Sequence, residues 1–169
     1  MRLRILLGIT IGLWVAGTLF MWQVAMKNFA VVESVLAEPP AGLTESVSPL
    51  TAEQLRPALR YQASEANRLF FSGWGWTQIP LALATLALTW MSFTCKGLRG
   101  IAFATLLIAL FLQLHVVPET IRLGELIDFD RSGGPVEDTF WTYHHLYTGF
   151  DMLKFLLLLG LGGVLVRKS

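Results

Sequence analysis

Asp151 and Lys154 stand three residues apart inside an apolar stretch near the end of the chain. From His144 to Val166 that stretch has 23 residues, enough for roughly 33 Å of helix and so for a membrane crossing. Phe155 to Val166 alone leaves 12 and falls short. Charges inside hydrocarbon are costly, and where they occur they pair, move protons or face a ligand. Three further polar side chains share their depth. Counting inward-edge residues at ~1.5 Å per step places Gln23 about 27 Å up, Gln78 about 25 Å, His115 and Asp151 about 22 Å and Lys154 about 18 Å. Gln23, Gln78, His115, Asp151 and Lys154 therefore form a candidate intramembrane polar pocket drawn from four apolar stretches. The same residues read equally as interhelical glue, worth ~0.6–2 kcal/mol per contact.

A second group lies higher: His144, His145 and Glu119 form a candidate outer-surface site. Adjacent histidines on a helix diverge by about 100°, so one ion rarely takes both, and no metal site is expected there. Asp128-Phe129-Asp130-Arg131-Ser132-Gly133 copies the first half of a calcium loop, but Thr139 stands where the bidentate glutamate belongs, so it reads as a turn. A b-type haem would need two axial ligands at one depth on different helices. His144 counts to about 33 Å, roughly 10 Å above His115, so haem stays a lesser reading and the cofactor is left unknown. One cysteine, Cys95, excludes an internal disulfide and a thiolate cluster. Hydrolase, dinucleotide and phosphate-loop motifs are absent, so no catalytic residue is assigned.

The elements that must position these side chains are helices. The chain is 54% apolar and 15% charged with mean hydropathy +0.57, where a soluble domain carries about 25% charged residues. Four stretches are nearly free of charge: Ile5 to Met26, Leu69 to Cys95, Gly100 to Pro118, and His144 to Val166. Each approaches the ~18–20 residues a spanning helix needs. None alternates with the period of a barrel strand. The expected fold is an all-α four-helix transmembrane bundle in one domain, with spans at about 5–27, 67–95, 99–122 and 142–166. The first stretch follows a basic Met1-Arg2-Leu3-Arg4 but is longer than a signal-peptide core of ~7–15 residues, so it reads as a retained helix.

Charge sets the orientation. With four spans, Arg2, Arg4, Lys96, Arg99, Arg167 and Lys168 share one side with no acid, and all 12 acids fall on the other side or in the outer helix ends. Basic short loops stay cytoplasmic, so both termini are expected in the cytoplasm of a plasma or bacterial inner membrane. A long outer loop is expected between helices 1 and 2, from about Asn28 to Arg60. In it, Thr51 and Gln54 resemble a capping box for a restarting helix that Pro57 interrupts. Arg131-Ser132-Gly133-Gly134-Pro135 marks the other outer turn, and Lys96 to Arg99 a tight inner hairpin. The stripes His144/Tyr147/Asp151/Lys154, His115/Glu119/Arg122 and Ser64/Asn67 or Arg68/Phe71/Gly75/Gln78 step by three and four, and each is expected to turn inward. Gly8, Gly12 and Gly17 give helix 1 a close-packing face.

Val117-Pro118-Glu119-Thr120, a short polar loop, then Phe140-Trp141-Thr142-Tyr143-His144-His145-Leu146-Tyr147-Thr148 and Asp151 resemble a small four-helix membrane family of unknown function. It includes the human TMEM-type protein linked to cisplatin resistance. The resemblance covers roughly residues 100–166 and, more loosely, helix 1. It implies four helices, a proline closing helix 3, a histidine opening helix 4 and a hydroxyl three residues later, matched by His145 and Thr148. Asp151 departs from the amide the family places one turn on, and the first outer loop is longer.

The reading that follows is a non-catalytic integral membrane protein, an accessory subunit or small-molecule-handling component of a membrane assembly. The alternatives are a haem- or quinone-linked redox or proton-handling subunit, and an oligomeric small transporter. The bilayer and other membrane subunits or further copies are the expected partners, and nucleic acid is not.

Overall fold

The computed structural model describes residues 1–40, 42–43, 46, 50–129 and 133–167. Among the described residues four long helices carry the chain: α1 (Arg2–Ala37), α2 (Ala52–Ser92), α3 (Lys96–Ile127) and α4 (Pro135–Arg167). α1, α3 and α4 are long and apolar enough to cross a membrane, which fits a membrane protein. α2 is the longest, at 41 residues, yet Gln78, Pro80 and a Glu/Arg-rich first half keep its hydropathy lower. Its outer face is apolar nonetheless. Leu69, Trp76, Leu83 and Trp90 recur every seventh residue and are all more than half exposed.

The helices form a ring in which each touches the next and α4 returns to α1; α2 and α4 face each other across it. One half of the ring is a dry core where Leu7, Ile11, Trp14, Ala82, Leu158 and Leu161 interlock. Gly8 lies against Leu165 there, and Gly17 against the ring of Trp74. A smaller cluster of Ile108, Leu112, Val116, Val117 and Tyr147 lies in the other half.

The expected spans are the centres of longer helices. The long loop expected over 28–60 is largely helical: α1 runs on to Ala37 and α2 begins at Ala52. The reason is a polar zipper between the two extensions. Glu33 pairs with Arg56 and, at 3.6 Å, with Arg60. Asn28 donates to Asn67 at 2.6 Å, and Arg60 stacks over Phe29. The capping box is present: Gln54 N–H donates to Thr51 Oγ1 at 3.3 Å and Thr51 N–H to Gln54 Oε1 at 2.9 Å. Pro57 does not stop the helix, which continues through it and through Pro80. Ser48-Pro49, Asp130 to Ser132 and Lys168 lie outside the described residues, and with them part of each outer turn and of the basic C-terminus. Gly133 and Gly134 enter α4 with φ of 81° and 146°, angles that favour glycine.

The α2–α3 hairpin is tighter than expected, because Lys96 to Arg99 already belong to α3. Arg99 holds it shut. Its Nε donates to Phe93 O at 2.8 Å and its Nη2 to Trp90 O at 2.9 Å. The guanidinium also covers the Trp90 ring at 4.6 Å. A cation on the last carbonyls of α2 meets the negative end of that helix.

Candidate functional site

Asp151 and Lys154 lie on the face of α4 that also carries Tyr147, Leu158 and Leu161 into the ring. Steps of four and three keep these side chains on one side of the helix. Both charges are buried, Lys154 fully and Asp151 at 2% exposure. Lys154 Nζ donates to Asp151 Oδ1 and, across the ring, to Gln78 Oε1 of α2. Two indoles of α1 complete the set. Trp22 Nε1 donates to Asp151 Oδ2 at 2.9 Å, and Trp14 Nε1 to Gln78 Oε1 at 3.0 Å. The ammonium also lies 5.8 Å from the Trp14 ring centroid, within cation–π range. Each carboxylate oxygen thus has a donor, and the ammonium has two oxygens and a π face. The network is neutral in sum and ties three helices. It presents no exposed nucleophile or base.

Of the five residues of the candidate pocket, the structure brings together Gln78, Asp151 and Lys154. Gln23 lies on the exposed side of α1, about 100° round the helix from Trp22. His115 is exposed on α3, beside Phe111 and Tyr143 at ring distances of 5.7 and 6.1 Å. Its displacement has a local cause. Leu112–Val116 is a π-helical turn, with Val117 N–H donating to Leu112 O. Pro118 follows at once; it can offer no N–H to Leu114 O and its ring crowds that carbonyl. The widened turn accommodates both. It keeps Ile108, Leu112 and Val116, and likewise Ala109, Gln113 and Val117, inward at intervals of four. His115 falls between them and turns out.

α3's inward polar group is instead Gln113, 4% exposed, whose carboxamide lies against Gly75. A Cβ at residue 75 would overlap Gln113 Oε1, so the glycine makes this close approach. Gln113 Oε1 has no donor among the described residues. Sequence reasoning also missed Trp14 and Trp22, which fall within the first apolar stretch and are not among the candidate pocket residues. Their spacing with Thr18, at 14, 18 and 22, is the helical signal that marks the inward face.

Beyond this layer the ring encloses a cavity of about 600 Å³, within the usual range for small-molecule sites. Trp22 and Tyr147 belong both to its lining and to the layer of the network, which makes the network its floor. The walls are mainly apolar, with Phe29, Phe71, Val117, Ile121, Phe140 and Met152 among them. Ser64, Asn67, Arg60, Arg68, Asp128 and His144 supply polar groups. Arg68 braces α2 to α3: Nη2 donates to Asp128 at 2.7 Å and Nη1 to Glu65. The α2 stripe of Ser64, Asn67, Arg68, Phe71, Gly75 and Gln78 thus turns inward over its whole length.

The outer-surface residues do not converge. His144 lines the cavity and stacks near Phe140 at 6.0 Å. His145 is exposed beside Trp141. Glu119 pairs with Arg122, whose Nε donates to it at 2.9 Å. The stripe His115/Glu119/Arg122 therefore lies outside the ring, by the same π turn. Among the described residues no group of three His, Cys, Asp or Glu side chains could hold a metal ion. For haem, His144 and Met152 both line the cavity, but they sit on one helix roughly 12 Å apart by rise and cannot take opposite faces of one iron. Comparison of the chain with protein-family models, curated proteins and solved structures finds no match.

Proposed function

We propose that this chain is a non-catalytic, multi-pass membrane protein that holds a small molecule in the cavity between its four helices. The observation that carries the reading is the cavity itself. It is about 600 Å³, with apolar walls and a few polar groups, over a floor whose charges are already satisfied. A saturated floor suits binding and does not suit proton transfer or nucleophilic attack. The apolar stripe at every seventh residue of α2 supports a fourth crossing beside the three apolar helices. Arg2, Arg4, Lys96, Arg99 and Arg167 all gather at one end of the bundle, which supports cytoplasmic termini. The chain acts in this reading as an accessory component beside other membrane subunits or further copies.

The test is native mass spectrometry of protein released from membranes into a mild detergent. Wild type is expected to carry a bound small molecule. Ile121→Trp, which fills the cavity from α3, is expected to lose it while keeping its helical circular dichroism. Bare wild-type protein, or a molecule retained equally by the filled variant, would overturn the reading.

A further inference from the structure

The exposure of the cavity's lining residues says which side is open. On α2 and α3 every lining residue is buried or half-buried: Ser64, Asn67 and Phe71 on one, Val117, Ile121 and Gly124 on the other. The exposed lining residues all belong to α1 and α4. They are Met26 on α1, and Trp141, His144, Thr148 and Met152 on α4. Lower down the same two helices are in close contact: Gly8 meets Leu165, Gly162 meets Ile11, and Trp22 packs on Phe155 at 5.1 Å. Above Trp22, among the described residues, no hydrogen bond, ion pair or ring contact joins them. The opening is therefore a lateral crevice between α1 and α4. Met152 and Thr148 place its lower end about 21–27 Å above the inner edge of α4, inside the hydrocarbon layer.

We infer that the ligand is a bilayer amphiphile with an apolar tail and an uncharged or zwitterionic hydrogen-bonding head, entering sideways from the membrane through the α1–α4 crevice. This inference rests on the small-molecule reading of the cavity and names the ligand class and its route. The tail matches the walls of Phe71, Val117, Ile121 and Met152. The head matches Ser64, Asn67 and His144. The charge of the head follows from the ion pairs. Arg56 and Arg60 share Glu33, and Arg68 holds Glu65 and Asp128. The three arginines thus face three carboxylates, so the group has no net positive charge to neutralise an anion, and a buried unpaired charge would be costly.

The test uses a monoacylglycerol bearing a photoreactive diazirine on its tail, in phosphatidylcholine vesicles that hold the purified protein. After irradiation, adducts are mapped by peptide mass spectrometry. Lipid around any membrane protein labels outward residues such as Leu83 and Phe103, so the informative adducts are those on Phe71 and Ile121. Wild type is expected to carry them. Thr148→Trp and Met152→Trp, which fill the crevice, are expected to reduce them at least fivefold, with Leu83 and Phe103 adducts unchanged. A fatty-acid probe of the same tail, charged at its head, is expected to label Phe71 and Ile121 at least fivefold less than the glycerol probe. Equal labelling by the two probes would overturn the assignment of the head group. Inner adducts that persist in both filled variants would overturn lateral entry and leave the binding cavity standing. A wild type without inner adducts that still binds a soluble apolar dye, with binding lost in Ile121→Trp, would likewise overturn the lipid ligand alone. Loss of both signals in wild type would overturn the lipid and the binding reading together.

Discussion

Asp151→Asn isolates the buried charge of Lys154, and its cost can be worked from the contacts. Asp151 accepts from Lys154 Nζ and from Trp22 Nε1 at 2.9 Å. Hydrogen bonds to a charged group are worth ~1.5–3 kcal/mol and neutral ones ~0.5–1.5. Asparagine offers one acceptor oxygen in place of two charged ones, so one bond is lost and the other becomes a weaker one. The lysine ammonium, fully buried, keeps only Gln78 and the Trp14 face. Breaking a buried pair costs ~3–5 kcal/mol, while polar contacts in membranes fall towards the low end because the membrane-unfolded state also finds partners. A loss of about 3 kcal/mol is expected. At roughly 2–4 °C per kcal/mol for a chain of this length, Tm should fall by about 6–12 °C. Unfolding in detergent followed at 222 nm would read it. The paired replacement Asp151→Asn with Lys154→Met removes both charges and should recover most of the loss, because an apolar side chain leaves no ammonium to satisfy. An unchanged Tm in Asp151→Asn, or a double variant as unstable as the two single losses added, would refute the reasoning.

Gly75→Ala should cost about 1–3 kcal/mol, because its Cβ overlaps the Gln113 carboxamide. Gln113→Ala in the same chain should restore the Tm, and a failure to do so would deny the contact. Arg68→Met severs the brace to Asp128, whose side chain is 3% exposed, and should lower Tm by an amount equivalent to about 3 kcal/mol, the low end for breaking a buried pair; Arg68→Lys should restore part of it. Thr51→Ala removes the cap of α2 and should cost about 0.5–2 kcal/mol, with Thr51→Ser close to wild type, by the same melting assay. Cys95, exposed at the α2–α3 turn, reports orientation: a membrane-impermeant maleimide should leave it unmodified in intact cells and label it in inside-out vesicles, and the reverse pattern would invert the topology.

The centre of the site was legible where one helix carried its own periodicity. Tyr147, Asp151 and Lys154 declare a face by steps of four and three, and the α2 stripe from Ser64 to Gln78 does the same. A depth count without an angle misplaced Gln23, since neighbours at one height can point to opposite sides of a helix. His115 was beyond any regular count, because the π turn changes the period within α3 itself; Pro118 was visible, but a proline alone does not say how a helix will absorb it. The helical extension of α1 to Ala37 was hidden by its polarity. The residues that hold it, Glu33, Asn28 and Phe29, find their partners on α2 and not within their own segment. The inward stripes pointed to a polar pocket opening to the outside, but the mainly apolar walls and the open side could not be read, because they depend on where two helices distant in sequence stop touching.

The π turn of α3 has one more consequence. It makes the helix two rods of independent phase: the part before Leu112 is keyed to the dry core, and the part after Val116 to Arg68 through Asp128. Closing the turn to a regular pitch with every residue kept would rotate all of Val117–Ile127 by about 100° relative to the rest, whereas deleting one residue within 112–116 would absorb that rotation and keep the phase. In the full-length closed form Val117, Ile121 and Gly124 would leave the cavity wall together, and Asp128 would swing away from its arginine. A single backbone residue with no side-chain role of its own thus acts as a phase setting for one wall of the cavity.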